Sequence, residues 1–169
     1  MENQVAQLVK ILADISAAVA ALNEIINNQD EAFINRFAFE DSWSMAQVME
    51  HINLSTASII KALKMQAAPA NRHIAERKND LESTFMNFGV KLHAPAFIVP
   101  DCTWYEKPAL LHHFNYQFKI LRELAVETDL SGLIKHDIFG DITKLELLYF
   151  VSFHTQRHLH QVKNIMDIG

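Results

Sequence analysis

Three histidines have the residue type and spacing that a divalent metal requires. His51 lies in the stretch Trp43-Ser44-Met45-Ala46-Gln47-Val48-Met49-Glu50-His51, and His154 and His158 lie in Phe153-His154-Thr155-Gln156-Arg157-His158. The second pair is spaced i, i+4, so a helix carries both imidazoles on one face, a turn apart. Neutral imidazole is the commonest side-chain ligand for metals such as zinc and nickel. Three protein ligands with open positions describe a reactive site rather than a closed structural one. The spacing also invites comparison with the zinc-protease motif His-Glu-x-x-His, where Glu supplies the general base. Here that position is Thr155, which holds no proton-accepting charge, so peptide hydrolysis by that route is not supported.

The elements that must position these residues are helices. Val5, Leu8, Leu12, Ile15, Val19, Leu22 and Ile26 alternate steps of three and four, predicting a long helix over residues 3–28. Ser44 opens a second helix, 44–65, with a capping box closed by Gln47, and Met45, Val48, Ile52, Ile59 and Leu63 form its core side. Pro108 suits the first turn of a third helix, 108–127, with Leu111, Phe114, Phe118, Leu121 and Ala125 on one stripe. Thr143 and Glu146 make a second capping box opening a fourth helix, 143–166. Between the second and third helices the pattern breaks down. Residues 75–87 are partly helical at most, and Ala96-Phe97-Ile98-Val99 between two prolines reads as an extended crossover over the bundle. Residues 33–41 read as a connection and 129–142 as a loop containing Gly132 and Gly140. The expected fold is all-α: one four-helix-bundle domain over 1–169, its middle helices joined by a long crossover.

On the fourth helix the core stripe should run Leu147, Val151, His154, His158, Val162 and Ile165, which puts two imidazoles in an otherwise apolar row. Burying a polar group without a partner costs roughly 1–3 kcal/mol, so packing alone explains such a pair poorly. His51 falls three residues after Val48, on the flank of its own stripe. By itself it reads as a helix-surface or satisfied core histidine. A metal between the two helices would satisfy one nitrogen on each ring.

The composition agrees with a globular protein. Half of the 169 residues are hydrophobic, and four Gly and four Pro leave room for long uninterrupted helices. A formal charge of −5 without a Lys/Arg cluster argues against nucleic acid as the main partner. Cys102 is the only cysteine, so no intrachain disulfide forms. The start, Met1-Glu2-Asn3-Gln4, has no basic n-region before an apolar core, and the apolar run 17–22 is too short to span a bilayer. A cytoplasmic protein that does not enter the membrane is expected.

Taken together, the motifs resemble the DinB/YfiT-like metal-binding four-helix bundles, in the DinB-like branch with relatives among the bacillithiol S-transferases. The resemblance is carried by Trp43-Ser44-x-x-Gln47-x-x-x-His51, by Phe139-Gly140-Asp141-Ile142-Thr143, and by His154-x-x-Arg157-His158-x-x-Gln161. Lys91-Leu92-x-Ala94-Pro95-Ala96-Phe97 adds a match in the crossover. It implies one histidine ligand from the second helix and two from the fourth, nickel or zinc as the ion, and frequent homodimers. Among relatives are thiol S-transferases using bacillithiol or mycothiol, a maleylpyruvate isomerase and metal-dependent hydrolases. Many relatives carry Glu where this chain has Thr155, which leaves the ligands intact but removes a basic role there.

Two functional classes follow. One is an enzyme in which the metal activates water or a low-molecular-weight thiol against an electrophilic small molecule. The other is a non-catalytic metal-binding or stress-response bundle whose histidines stabilise the interior. The remaining candidates read as structural. His112 and His113 diverge by about 100° on a helix and are expected at the surface. His136 is expected in a solvated loop or at a pocket mouth, His160 off the ligand face, and His73 and His93 in the crossover without a partner motif. Glu50 should face the surface. Cys102 is expected to be a partly buried, inert thiol unless the crossover brings it to the metal. Arg157 is expected to orient an anionic group or, as the favoured reading, to pair with a carboxylate, and Trp43 to act as a hydrophobic staple.

Overall fold

The computed structural model describes residues 3–168; Met1, Glu2 and Gly169, which the expectations for the chain start and for one domain over 1–169 also cover, lie outside the described residues. Four long helices make the bundle: α1 (Gln4–Asn27), α3 (Met45–Leu63), α5 (Lys107–Glu127) and α6 (Lys144–Ile168). Short helices α2 (Glu31–Asn35) and α4 (Lys78–Phe85) lie in the connections, and a single 3-10 turn covers Ala96–Ile98. Neighbours in the bundle run α1 on α6, α6 on α3, α3 on α5 and α5 back on α1, while α4 packs on the outer side of α6.

Each capping box forms as the residue types require. The Ser44 hydroxyl accepts from the Gln47 N–H at 3.2 Å, and the Gln47 side-chain oxygen accepts from the Ser44 N–H at 3.1 Å. Thr143 and Glu146 repeat the exchange at 3.1 and 2.9 Å. The buried rows of α3, α5 and α6 follow the predicted stripes, with Leu111 half-buried. The seam of α1 is shifted: Gln7, Ile11, Ile15, Ala18, Leu22 and Ile26 are buried, whereas Val5 and Val9 stand open. A run of steps of three and four leaves a choice of about one residue in the facing direction, and packing on α6 and α5 makes that choice. By length and composition α1 could also cross a bilayer; in the fold this face lies against α6 and α5.

The expected loop over 129–142 is mostly a β-hairpin, and this corrects the reading of that stretch. Strands β1 (Leu133–His136) and β2 (Gly140–Thr143) pair antiparallel, with His136 opposite Gly140. The connection 137–139 is closed by Gly140, the first residue of β2, whose left-handed φ of +64° is open to glycine without strain. Four residues per strand are too few for an alternating pattern to stand out. The hairpin is tied to the segment after α3 through paired bonds between Ala68 and Leu133 at 2.8 and 2.9 Å. No strand forms through Ala96–Val99.

The crossover is sewn down at both ends. Near its start, Arg72 spans the Glu146 carboxylate with bonds of 2.6 and 2.7 Å, and the Arg77 N–H adds a third at 2.8 Å. Near its end, Asn35 brackets the backbone of Tyr105 at 2.8 and 2.9 Å, and the Gln47 amide donates to the Cys102 carbonyl at 3.0 Å.

Candidate metal centre

His51 on α3 and His154 and His158 on α6 converge where these two helices face each other. All three are buried, and their available ring nitrogens lie within 4.8 Å of one another. Nε2 of His154 stands 3.0 Å from Nε2 of His51 and 3.0 Å from Nε2 of His158. Local structure aims two of the rings. Nδ1 of His51 lies 2.7 Å from the Ile98 carbonyl oxygen, and Nδ1 of His158 lies 2.8 Å from the Gln161 side-chain oxygen. An oxygen acceptor requires a proton on Nδ1, so in the neutral ring the lone pair is left on Nε2, which points into the trio. The turn at Ala96–Ile98 thus holds a ligand in orientation from the crossover. This is the usual arrangement by which outer partners fix the tautomer of a metal-binding histidine.

The electrostatics oppose protonation. Burial lowers the pKa of His51, against the bond to Ile98 that raises it. Burial, the other two histidines and Arg157 hold His154 well below the ordinary imidazole value. His158 is lowered to about 3, mainly by burial. With all three rings neutral, a His154 Nε2–H can serve only one of its two neighbours, and the lone pair of the other is left without a donor. A cation removes the conflict. Nitrogens about 2.0–2.1 Å from a common ion stand roughly 2.9–3.4 Å apart for octahedral to tetrahedral angles, and the observed 3.0 Å spacings fall in that range. The donor set therefore fits zinc or nickel.

The trio forms part of the wall of a cavity of about 1040 Å³ that opens between the crossover, the hairpin and α6. Several residues lie elsewhere than the sequence suggested. Trp43 lines this cavity with its ring 4.9 Å from that of His51, so it contributes to the site as well as to the helix entrance. His136 belongs to β1 and also lines the cavity, where burial lowers its pKa. Among the described residues Arg157 meets no carboxylate: its guanidinium donates to the carbonyls of Phe85, Asn87 and Val90, pinning the far wall to α6. Cys102 is exposed rather than partly buried and lies outside the cavity lining. Thr155 is buried, and its hydroxyl donates to the Val151 carbonyl at 2.7 Å. His160 stacks on Phe88 at 4.2 Å, His112 is exposed, and Glu50 is half-buried and accepts from Asn53. Of these contacts only the Gln161 partnership had a sequence signal, its place three residues after His158.

Fold and site together define a four-helix bundle with a buried three-histidine cluster between two of its helices. The DinB superfamily sequence model matches residues 14–162, and the chain belongs to that superfamily. It is 24% identical over 165 residues to the uncharacterized protein YuaE of Bacillus subtilis (strain 168), covering 89% of this chain and 93% of that one. In fold it matches the crystal structure of TT2238, a four-helix bundle protein, with a TM-score of 0.62 and 18% identity over 93% of this chain and 98% of the other. Family and cluster together describe a metal-binding helical protein.

Proposed function

We propose that this protein is a divalent-metal-dependent enzyme that transfers a low-molecular-weight thiol to an electrophilic small molecule, with His51, His154 and His158 holding zinc or nickel. The observation that carries this reading is the meeting of three neutral Nε2 atoms at 3.0 Å spacings in the wall of a substrate-sized cavity. An ion held by three neutral ligands supplies Lewis acidity at open positions, which lowers the pKa of a thiol or a water near it. The chain's own residues orient and enclose: Ile98 and Gln161 aim the ligands, and Arg157 fastens the wall that shields the site from solvent.

The family resemblance favours thiol transfer over hydrolysis. Among the described residues the lining carries one carboxylate, the exposed Asp41, and the Thr155 hydroxyl is committed to the backbone, so a hydrolytic base would fall to a lining histidine such as His136. Metal-dependent hydrolysis is the second reading, and a non-catalytic metal-binding bundle the third. A cytoplasmic location and a homodimer are part of the same proposal, and both rest on the family resemblance.

The test pairs a panel of low-molecular-weight thiols with electrophiles on zinc- and nickel-loaded protein, with the His158→Ala variant alongside. Thiol consumption by the parent that is lost in the variant supports the reading. Tight metal binding without turnover across the panel favours the non-catalytic reading, and equal metal affinity in parent and variant removes His158 from the centre.

A further inference from the structure

The cavity over the histidines has an apolar mouth. Phe39, Phe88, Val90, Leu92, Phe97 and Ile138 all line it, yet each is between 37% and 62% exposed. Such side chains scattered singly need no explanation, but gathered around one opening they mark a binding site. The apolar surface continues inward. Trp43 stands 4.9 Å from His51, and Phe150 and Phe85 stand 4.9 and 6.0 Å from His154. At about 1040 Å³ the space matches the upper end of small-molecule sites, roughly 300–1,000 Å³. A small hydrophilic reactant would leave most of this wall wet.

Charge selects the polar end of the occupant. Among the described residues the lining carries Lys91 and Arg157 against the single carboxylate of Asp41. Three neutral imidazoles would leave the two charges of a bound ion uncompensated inside the protein, where an unpaired charge is costly. We propose that the cavity binds an amphipathic anion, with an apolar body along the aromatic wall and a single anionic head turned toward His51, His154 and His158. The head rests on the metal reading above; the body rests on the wall alone. In a thiol-transfer reaction this molecule is the acceptor, an apolar electrophile bearing an acidic group, rather than the thiol.

The chain has two tryptophans, and Trp104 is exposed outside the cavity lining, so Trp104→Phe leaves Trp43 as the reporter. In that background, Trp43 fluorescence is titrated with butanoate, hexanoate, octanoate and decanoate and with the matching alkan-1-ols. Both series are run on metal-free and zinc-loaded protein. Affinity is expected to rise up to about fourfold per methylene in both forms, and the carboxylates should exceed the alcohols at least tenfold when zinc is present. Phe97→Asp, at an exposed position, should flatten the chain-length dependence while helicity by circular dichroism stays unchanged.

A flat chain-length dependence overturns the apolar body, and equal binding of acids and alcohols to the zinc form overturns the anionic head. If a flat response accompanies a dimer that Phe97→Asp dissociates in sedimentation, the rim belongs to a second copy of the chain and the proposal falls. Zinc titration of the same samples reads the metal centre separately: zinc binding with flat ligand dependence leaves that reading standing, and absent zinc binding removes it whatever the alkanoates do.

Discussion

Helix α6 buries two polar clusters about 12 Å apart along its axis, and they are built on opposite principles. At its start the carboxylate of Glu146, fully buried, receives four hydrogen bonds: two from Arg72, one from the Arg77 N–H and one from the Thr143 N–H. Burial alone would raise its pKa, but those donors outweigh it and hold the carboxyl below its ordinary value. Two turns on, Nε2 of His154 stands against Nε2 of both His51 and His158 and can donate to only one of them, and burial pushes all three rings toward the neutral form. The first cluster is complete within the chain and joins crossover, hairpin and bundle. The second is left short of a donor, a conflict that the proposed cation would remove. A buried polar group whose partners are all present is holding the fold together; one whose neighbours duplicate its own chemistry is waiting for a ligand.

Acid should separate the two clusters most widely in the metal-free protein. A histidine whose folded pKa lies below its unfolded value contributes stability fully at pH above about 6.5 and loses it as pH falls through the folded pKa. For His158 that window runs from 6.5 down to about 3, a loss on the order of 5 kcal/mol when complete. Glu146 follows the same sign from a lower starting point: its contribution is present above about 4.5 and declines below it. Urea unfolding at stepped pH should show stability falling from pH 6.5 downward. In the double variant His154→Leu/His158→Leu most of the decline between 6.5 and 4.5 should vanish, leaving small shares from His51 and His136, and below 4.5 the decline should shrink to the share carried by Glu146. An unaltered profile in that variant would detach the acid sensitivity from the trio.

Glu146→Ala comes next. It strands the Arg72 guanidinium and two backbone N–H groups, and breaking a buried pair in this way costs about 3–5 kcal/mol. Arg72 keeps 16% of its side chain exposed, so the lower end is expected. A loss below about 1 kcal/mol in chemical denaturation would mean that water replaces the lost carboxylate and the cluster is not a lock.

Gln161→Ala reaches the other cluster without touching a ligand. Loss of the oxygen that orients His158 should weaken zinc binding roughly 10–100-fold, read by competition with a chelator, while metal-free stability stays within about 0.5 kcal/mol. The smallest effect is the most direct test of the contrast. Replacing the hub with an apolar residue, His154→Leu, should raise the stability of the metal-free protein at pH 7 by about 1 kcal/mol, because a duplicated polar group leaves the interior. A destabilised variant would show that the trio is satisfied without an ion.

Much of this contrast is legible in the residues themselves. Both capping boxes, Ser44 with Gln47 and Thr143 with Glu146, are short-range patterns and form as read. The α6 stripe places His154 and His158 inside because 3.6-residue periodicity is a local rule. The hairpin over 133–143 is less legible, since its strands are four residues each and are held by Ala68 and by the crossover. Arg157 also misled: a charged side chain suggests a carboxylate partner, but the backbone carbonyls of Phe85, Asn87 and Val90 take its hydrogen bonds.

Periodicity, capping residues and the i, i+4 pair are properties of neighbours along the chain, so the sequence alone determined four helices, the direction of burial of three of them and two interior imidazoles, while packing set the seam of α1. The side chains of His51 and His158 face Ile98 and Gln161, and Glu146 meets an arginine 74 positions away, while the cavity owes its apolar mouth to loops brought together from three parts of the chain. Apart from the Gln161 contact these meetings are long-range, and they depend on how the crossover lies over the bundle. No local propensity encodes that path. Only the tertiary structure, by pinning the crossover at Asn35, Gln47, Glu146 and Arg157, decided that the third histidine would complete the centre and that the centre would open onto an apolar cavity.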